Sequence, residues 1–362
     1  MRMLDQLIVL ALVAAIGGCA LPIARHATGS YANPVLEMDF PDPATLSAAD
    51  GFTYVYATQG SNAAGEMHNI RVARSRNLAN WEMLGDALPA KPGWASKTQD
   101  FWAPHVIAAD GRYFLYYSAK PDAALTDDRL GLCLAVATAS RPEGPFVDSG
   151  KPLLCGPSFV NIDPMAFDDP ATGKRLLYWG SGFGPIKVQE LASDRLSFAP
   201  RTAPIDLVPT IKTEDPANYQ RLVEGAWVMP RGGFYYLFYS GDNCCGPKAH
   251  YAVMVARSRS ATGPFETLAA ATGAPNSVIL EANREWIAPG HNAIATDARG
   301  TDWMIYHAVD ARRPRSKDSD EVNTRRVMLI DPIEWADGWP RVAGASPSSG
   351  AHSAPAMGTS RR

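Results

Sequence analysis

Cysteine and histidine are scarce in this chain of 362 residues, which contains five Cys and seven His. So few thiol and imidazole groups leave little room for a Cys/His metal cage. A surplus of one charge is also missing, since the formal net charge is −3. Nucleic-acid-binding proteins usually carry a basic surplus, so we expect no nucleic-acid partner. The hydrophobic fraction of 46% and charged fraction of 20% fit a globular protein with a sizeable core.

The apolar run near the N-terminus is too short to span a bilayer comfortably. Residues 7–16 are apolar, follow the basic Arg2 and precede Gly17-Gly18-Cys19. A basic start, a short apolar stretch and small residues before a cleavage point are typical of a secretory signal. The Cys after the small pair resembles a bacterial lipobox, which predicts cleavage before Cys19 and a lipid on its thiol. A plain signal peptide with an incidental Cys is the alternative.

These features divide the chain into a signal at 1–18, a linker at 19–30, a folded domain at 31–342 and a tail at 343–362. The tail is rich in Ser, Ala, Gly and Pro. It has too few apolar side chains to offset the entropy of ordering it, which predicts disorder. We expect an exported monomer, periplasmic or on the cell surface, that meets a membrane only through its lipid anchor.

Export would place the other four cysteines in an oxidising compartment, where disulfides are permitted. Cys133 and Cys155 could form one bridge. The adjacent Cys244 and Cys245 are either free thiols or a vicinal disulfide. Spacing alone does not settle the connectivity.

Helical periodicity over three turns is absent from the sequence, and a two-part motif recurs instead about every 60 residues. A run of aromatic and β-branched residues comes first, and an apolar strand follows some 15 residues later. Such runs, bounded by Gly and Pro, predict strands. The aromatic runs are 52–56, 113–118, 176–181, 234–240 and 303–307, and the apolar runs are 70–75, 132–138, 186–191, 252–258 and 327–330.

Five such repeats predict an all-β fold, a five-bladed β-propeller, whose radial sheets leave only short edges. A β-sandwich is the alternative, but it would not explain so long a repeat or the turn shared by residues 143–146 and 262–265. In a propeller the inner strand of each blade lines a central funnel. Side chains from different blades therefore converge there.

Three acidic residues, Asp42, Asp163 and Glu224, stand in similar places just ahead of aromatic runs. Each lies among apolar residues, which predicts that each points into the funnel from its blade. Hydrolysis of a glycoside needs one carboxylic acid to protonate the leaving oxygen and one carboxylate to activate water or attack carbon. A third anion nearby raises the pKa of the acid. The alternative is that the Asp-Pro pairs at 42–43 and 163–164 merely open turns.

An ordered set of motifs makes this chemistry more specific. The set is Asn33-Pro34-Val35-Leu36, Asp42-Pro43, Phe101-Trp102-Ala103-Pro104, Ile162-Asp163-Pro164, Glu224-Gly225 and Pro289-Gly290-His291-Asn292. Together these motifs resemble glycoside hydrolase family 43 over residues 31–342. The resemblance implies that Asp42 is the general base, Glu224 the general acid and Asp163 the carboxylate that tunes and orients the acid. It also implies inversion, with acid and base roughly 6.5–9.5 Å apart.

Later segments resemble the arabinan-cleaving members of that family. They are Asp242-Asn243-Cys244-Cys245-Gly246, residues 287–293 and residues 329–340. The resemblance implies a polysaccharide or oligosaccharide substrate with α-1,5-linked L-arabinofuranose. A β-xylosidase or exo-α-L-arabinofuranosidase of the same family, or a non-catalytic glycan-binding propeller, is the alternative.

The resemblance also implies roles around the catalytic carboxylates. In the relatives, the His matching His291 helps to hold a metal, often calcium, largely through water. A His that only hydrogen-bonds the carboxylates is the alternative. Phe101 and Trp102 are expected to stack on sugar rings, and Asn161 and Ser181 to bond ring hydroxyls. His105 stands where an acidic residue is frequent in the family, beside an expected subsite, which leaves the substrate preference open.

Overall fold

The computed structural model describes residues 29–62, 64–315 and 324–356. The predicted signal, the lipid attachment at Cys19 and the linker up to residue 28 lie outside the described residues. Within the described part, nearly all regular structure is strand, with one short α-helix, Leu268–Thr272. No helix in these ranges is long and apolar enough to cross a membrane.

Five antiparallel sheets form the blades, and each blade runs outward from its first strand. Blade 1, after β1 (Ser30–Ala32), contains β2 (Ala44–Ser47), β3 (Thr53–Ala57), β6 (Arg71–Ser75) and β7 (Glu82–Asp86), with β4 (Gly60–Ser61) and β5 (Met67–His68) as a side hairpin. Blade 2 contains β8 (Phe101–Ala109), β9 (Arg112–Ala119), β10 (Cys133–Ala139), β11 (Val147–Asp148) and β12 (Leu154–Cys155). Blade 3 contains β13 (Met165–Asp168), β14 (Arg175–Trp179), β15 (Ile186–Glu190) and β16 (Ile205–Val208).

Blades 4 and 5 complete the ring. Blade 4 contains β17 (Val223–Arg231), β18 (Phe234–Asn243), β19 (His250–Ser258), β20 (Glu266–Thr267) and β21 (Val278–Leu280). Blade 5 contains β22 (Trp286–Thr296), β23 (Asp302–Asp310), β24 (Arg326–Ala336) and β25 (Trp339–Val342), and β26 (Ala351–Ser353) follows. Short 3-10 turns lie at Gly93–Ala95, Asp122–Leu125, Tyr219–Arg221 and Ala343–Ala345. The first strands of all neighbouring blades contact one another around the axis. The predicted five-bladed propeller is confirmed.

The aromatic runs form the second strand of each blade, and they are buried on both faces. Successive side chains of a strand point to opposite faces. Tyr116 of β9 accordingly packs in an apolar cluster with blade 3, and Tyr117 packs in one with blade 1. Similar clusters fill the other three spaces between blades. This double burial explains why the strands read as continuous aromatic runs rather than as alternating polar and apolar residues.

Tyrosine hydroxyls also join neighbouring blades. In four blades a second-strand tyrosine donates to a carbonyl of the next blade. The pairs are Tyr56 to Pro142, Tyr116 to Arg195, Tyr178 to Ala261 and Tyr236 to Gly338. A buried Tyr hydroxyl needs such a partner, so the repeated aromatic run fixes the spacing of blades as well as filling the space between them.

The chain between β1 and blade 1 closes the ring by pairing with blade 5. The Val35 N–H donates to the Met328 carbonyl of β24 at 2.9 Å, and the Phe40 N–H donates to the Arg326 carbonyl at 2.7 Å. Arg326 returns its own N–H to the Asp39 carboxylate at 2.8 Å. The first residue of β24 is thereby held beside the turn that leads into blade 1.

Both cysteine pairs form disulfides. Cys133 of β10 bonds to Cys155 of β12, where the two residues face each other across the sheet. Cys244 and Cys245 form the vicinal disulfide, so the alternative of two free thiols is not what the structure shows.

The tail predicted to be disordered from residue 343 is ordered through residue 356; residues 357–362 lie outside the described part. Strand β26 pairs with β1, and the His352 ring packs 5.9 Å from that of Tyr31. Ser348 accepts a hydrogen bond from Asn33 and donates its N–H to the buried Asp331. The prediction was wrong because it counted apolar side chains, whereas backbone pairing and the partners of Asp331 order this segment.

Removal of residues 343–362 should therefore lower the free energy of unfolding by about 1–3 kcal/mol, because Asp331 loses the Ser348 N–H, Asn33 loses the Ser348 hydroxyl and β1 loses its only sheet neighbour among the described strands. Urea denaturation followed by tryptophan fluorescence measures this change. A control truncation that removes only residues 357–362 should unfold at the midpoint of the parent. Equal midpoints for the two truncations would contradict the ordered tail.

Candidate active site

Each blade carries one residue in the left-handed backbone region where its chain enters the funnel. These residues have φ values between 45° and 63° and are Asp42, Ala103, Asp163, Gly225 and His291. Non-glycine residues rarely adopt this conformation. Four of them at equivalent places therefore mark a constraint shared by all five blades. Two of the predicted catalytic carboxylates and the predicted metal-binding His occupy these turns.

Glu224 is offset from this pattern by one residue. The turn residue of blade 4 is Gly225, so Glu224 is equivalent to the residue before Asp42 or Asp163. The sequence repeat predicts similar positions for the three acidic residues, but it does not show that Glu224 comes one residue earlier than the other two. Glu224 is consequently presented by strand β17 itself, where it pairs with Ser240 of β18.

A repeated hydrogen bond joins each turn to the preceding blade. A polar side chain in the last four residues of a second strand, or just past its end, accepts the N–H of the left-handed residue in the next blade. The bonds are Ala103 N–H to Thr58 at 2.8 Å, Asp163 N–H to Ser118 at 3.2 Å, His291 N–H to Ser240 at 2.8 Å and Asp42 N–H to His307 Nδ1 at 3.1 Å. The last bond closes the circle between blades 5 and 1. We call these four bonds the interblade ring.

The interblade ring is interrupted between blades 3 and 4, beside Glu224. The Gly225 N–H donates to the Asp163 carboxylate at 3.1 Å. Gly180 occupies the place equivalent to Ser118 and has no side chain to accept this bond. The next residue, Ser181, donates its hydroxyl to Glu224 at 2.5 Å. The Tyr251 hydroxyl donates to the other Glu224 oxygen at 2.8 Å. At this interruption the N–H of the left-handed residue is bonded to Asp163, and two hydroxyls outside the interblade ring are bonded to Glu224.

The predicted site residues separate into two groups. Asp42, Asp163, Glu224, Trp102 and His291 line one cavity of about 420 Å³. The cavity is further lined by Thr58, Phe159, Ile162, Phe183, Leu222, Asp242, Asn243, Cys244, Cys245 and Arg326. The repeat predicts that side chains from different blades converge, and the structure confirms it.

Four other residues lie elsewhere than expected. Phe101 is fully buried between blades 1 and 2 and stacks on Tyr117, so it is core rather than a sugar-binding surface. Asn161 accepts a hydrogen bond from Trp179. Ser181 is 1% exposed and bonds Glu224. His105 lines a separate cavity with Trp227, not a subsite beside the carboxylates.

Arg326 supplies the positive charge of the cavity. Its Nη1 lies 3.0 Å from Asp42 Oδ1. The His291 Nδ1 lies 3.6 Å from the same oxygen and 3.7 Å from Asp163 Oδ2. Burial lowers the pKa of His291 and lowers that of His307 much further. Both imidazoles are therefore neutral near pH 7, so among the described side chains in contact with Asp42 the Arg326 guanidinium carries the positive charge.

The three carboxylates have opposed pKa shifts. Burial by itself would raise the pKa of Asp42, but the Arg326 charge and the Thr58 hydroxyl hold it well below its ordinary value. Burial and the charges of Glu224 and Asp42 raise the pKa of Asp163. Burial also raises the pKa of Glu224 against the hydrogen bonds from Ser181 and Tyr251. Asp163 and Glu224 titrate as a pair, so this pair retains a proton while Asp42 stays ionised.

The donor set around His291 does not fit a calcium ion held directly by protein. Calcium prefers six to eight oxygen ligands. Among the residues that the structure describes, no group of three or more His, Cys, Asp or Glu side chains is placed to hold a metal. The Arg326 guanidinium also faces the Asp42 oxygen nearest to His291. His291 lies between two carboxylates, and a calcium ion held there largely through water stays a prediction.

Five residues around the site were not predicted from the sequence: Arg326, Thr58, Tyr251, Phe159 and Phe183. A signal existed for Thr58, because Ser118, Ser181 and Ser240 end three of the aromatic runs and a polar residue ends or follows the other two. No local pattern identifies Arg326, because the closure between blades 5 and 1 brings it to Asp42. The two Phe belong to loops whose shape the repeat does not define.

The chain is similar to glycosidases both in sequence and in structure. The sequence pattern described as Glycosyl hydrolases family 43 matches residues 31–340. A relative from Aspergillus oryzae, named probable arabinan endo-1,5-alpha-L-arabinosidase A, is 26% identical over 340 residues, covering 89% of this chain and 98% of its own. A relative from Cellvibrio japonicus, named extracellular exo-alpha-(1->5)-L-arabinofuranosidase, is 25% identical and covers 84% and 87%. The crystal structure of a thermostable family-43 glycoside hydrolase superposes with a TM-score of 0.71 at 26% identity, covering 91% of this chain and 100% of that one.

Thr58→Val should lower the free energy of unfolding by about 1–3 kcal/mol, because the buried Ala103 N–H loses its acceptor. Valine has nearly the same shape as threonine, so packing changes little. Thr58→Ser retains the hydroxyl and should stay close to the parent. Chemical denaturation compares the two variants. If both unfold at the same denaturant concentration, the interblade ring does not hold the blades together.

Proposed function

The chain belongs to glycosyl hydrolases family 43 and is a glycoside hydrolase, and on that premise we propose that it cleaves arabinan at α-1,5-L-arabinofuranosidic bonds with inversion. The observation that carries the proposal is the convergence of Asp42, Asp163 and Glu224 in one cavity beside Trp102. The names of the curated relatives support arabinan as the substrate. Glycosidases with one fold can act on different sugars, so the proposal of arabinan as the substrate rests on the names of those relatives.

Asp42 is the general base in this proposal. Its lowered pKa keeps it ionised, so it can remove a proton from a water molecule as the water oxygen attacks the anomeric carbon. Thr58 and Arg326 hold the two carboxylate oxygens at 2.5 and 3.0 Å. The carboxylate is thereby oriented by groups from blade 1 and blade 5.

Glu224 is the general acid, and Asp163 tunes it. The proton retained by the Asp163–Glu224 pair passes from Glu224 to the leaving oxygen while the glycosidic bond breaks. The repulsion between the two carboxylates favours this retained proton. The Gly225 N–H fixes Asp163, and Ser181 and Tyr251 fix Glu224. His291 contributes a neutral imidazole between Asp42 and Asp163, and no step requires a metal.

Asp42 and Glu224 come from blades 1 and 4, which are not neighbours around the axis. This placement supports a separation wide enough for a water molecule, as inversion requires. A glycan-binding module has no need of three buried carboxylates with opposed pKa shifts, which argues against a non-catalytic role. Exo action on the same bond is the second candidate, because one relative carries that name.

Export is part of the same proposal. The two disulfides support an oxidising compartment, and two relatives are named extracellular. The sequence at residues 1–18 supports a signal, and Cys19 supports lipid attachment. Mass spectrometry of the protein purified from a bacterial membrane fraction would identify a diacylglyceryl group on Cys19.

Debranched arabinan should be cut to oligosaccharides by the purified protein, while xylan should be left intact. Asp42→Asn and Glu224→Gln should each lower kcat about 10²- to 10⁴-fold, because each removes one proton transfer. An aryl arabinofuranoside with a good leaving group needs no acid. It should therefore restore the rate of Glu224→Gln but not that of Asp42→Asn.

Glu82→Gln is the matched control, since Glu82 is exposed on blade 1 outside the cavity.

Product size, measured by chromatography, distinguishes endo from exo action. A parent protein that binds arabinan but releases nothing from any glycan would be a binding module.

Arg326→Met should move the acidic limb of the profile of kcat/KM against pH upward by about one to two pH units. The guanidinium lowers the pKa of Asp42, so its removal raises the pH below which the base becomes protonated and activity is lost. Arg326→Lys keeps a positive charge and should keep most of the parent profile. An acidic limb that is the same in Arg326→Met and the parent would show that another group sets the ionisation of the base.

A further inference from the structure

Two phenylalanines in the cavity wall have no role in the mechanism above. The rings of Phe159 and Phe183 meet edge to face, with centroids 6.2 Å apart and planes inclined at 63°. Phe183 is 67% exposed, although it lines the same cavity as the buried carboxylates. An exposed aromatic side chain beside a cleft indicates a surface that binds something.

The backbone holds Phe183 in this exposed position. Its φ is 65°, which is unusual for a bulky residue. It follows Gly182, where an added Cβ would lie 2.7 Å from a Val160 side-chain carbon and 3.1 Å from the Val160 backbone. The Thr210 hydroxyl donates to the Phe183 carbonyl at 3.1 Å. Phe183 is therefore presented by a packed, strained turn, and such strain is found where function requires it.

The apolar wall continues onto blade 4. Leu222 and the vicinal disulfide of Cys244 and Cys245 line the same cavity. The disulfide and the two Phe form an apolar rim, whereas Leu222 and the carboxylates are 6–8% exposed. A sugar ring has apolar C–H faces that pack on such surfaces and hydroxyls that remain in water. The rim fits a glycan unit that lies beyond the bond being cleaved.

We propose that Phe159 and Phe183 form a sugar-stacking subsite for an arabinofuranosyl unit of the chain that is remote from the cleaved bond. This inference rests on the proposed function and deepens it. Trp102, which is half-buried in the cavity, supports the unit at the carboxylates. The rim then gives the enzyme its preference for long chains over short glycosides.

Phe183→Ala should lower kcat/KM on long arabino-oligosaccharides about tenfold, which is the change that 1.4 kcal/mol of lost binding produces. Most of the loss should appear in KM, because the rim does not touch the reacting atoms. An aryl arabinofuranoside does not reach the rim, so its kcat/KM should be unchanged. Phe183→Trp keeps a stacking surface and should retain the preference for long chains. Leu125→Ala, which removes an exposed side chain outside the cavity, should behave as the parent on both substrates.

The Phe183→Gly variant distinguishes a loss of substrate binding from a loss of stability. Glycine adopts a positive φ freely, so this variant should unfold at the temperature of the parent or above while it loses affinity for long chains. Equal losses on long and short substrates, or no loss on either, would overturn the subsite. A parent that cleaves arabinan with Phe183→Ala unimpaired contradicts only the subsite, whereas a parent that does not cleave arabinan contradicts the proposed function.

Discussion

The architecture of the site depends on one repeated hydrogen bond between blades. A polar side chain of one blade accepts the N–H of the left-handed residue that opens the next blade, and four such bonds circle the axis. The same turns carry Asp42, Asp163 and His291. Because packing of blades and placement of functional side chains use the same residues, a change in one alters the other. The circle is broken where Gly180, which has no side chain, takes the acceptor's place; there Ser181 holds Glu224 and the Gly225 N–H holds Asp163.

The charges around them give the three carboxylates of the funnel different protonation states. All three are buried, and burial alone would raise each pKa. Arg326 reverses this for Asp42, and it stands there because the chain before blade 1 pairs with β24. Among the described residues, neither Glu224 nor Asp163 forms a salt bridge with a Lys or Arg, and the charge of Glu224 raises the pKa of Asp163. Pairs of titratable groups whose surroundings separate their pKa values are the usual basis of acid and base roles in one site.

The repeat allowed the fold and part of the site to be predicted. Five aromatic runs are visible because their residues are buried on both faces, and Asp42, Asp163 and Glu224 were predicted from their places in the repeat. Trp102 and His291 were predicted from the resemblance to glycoside hydrolase family 43. The assignment of Phe101 to sugar binding was wrong because neighbouring residues of a strand face opposite ways, so only Trp102 reaches the cavity. Arg326 required the closure of the ring, and the order of residues 343–356 required backbone pairing with β1. Contacts of this kind join distant segments and leave no local pattern.

The central claim is that Asp42 activates water for direct displacement while Glu224 protonates the leaving oxygen. The most direct measurement is proton NMR of the anomeric signals during the first minutes of hydrolysis of an α-1,5-linked arabino-oligosaccharide, before mutarotation. The account predicts that the β-anomer of the new reducing end appears first and that the α-anomer follows by mutarotation. Initial appearance of the α-anomer would contradict it, because retention requires a carboxylate to attack the sugar instead of a water molecule.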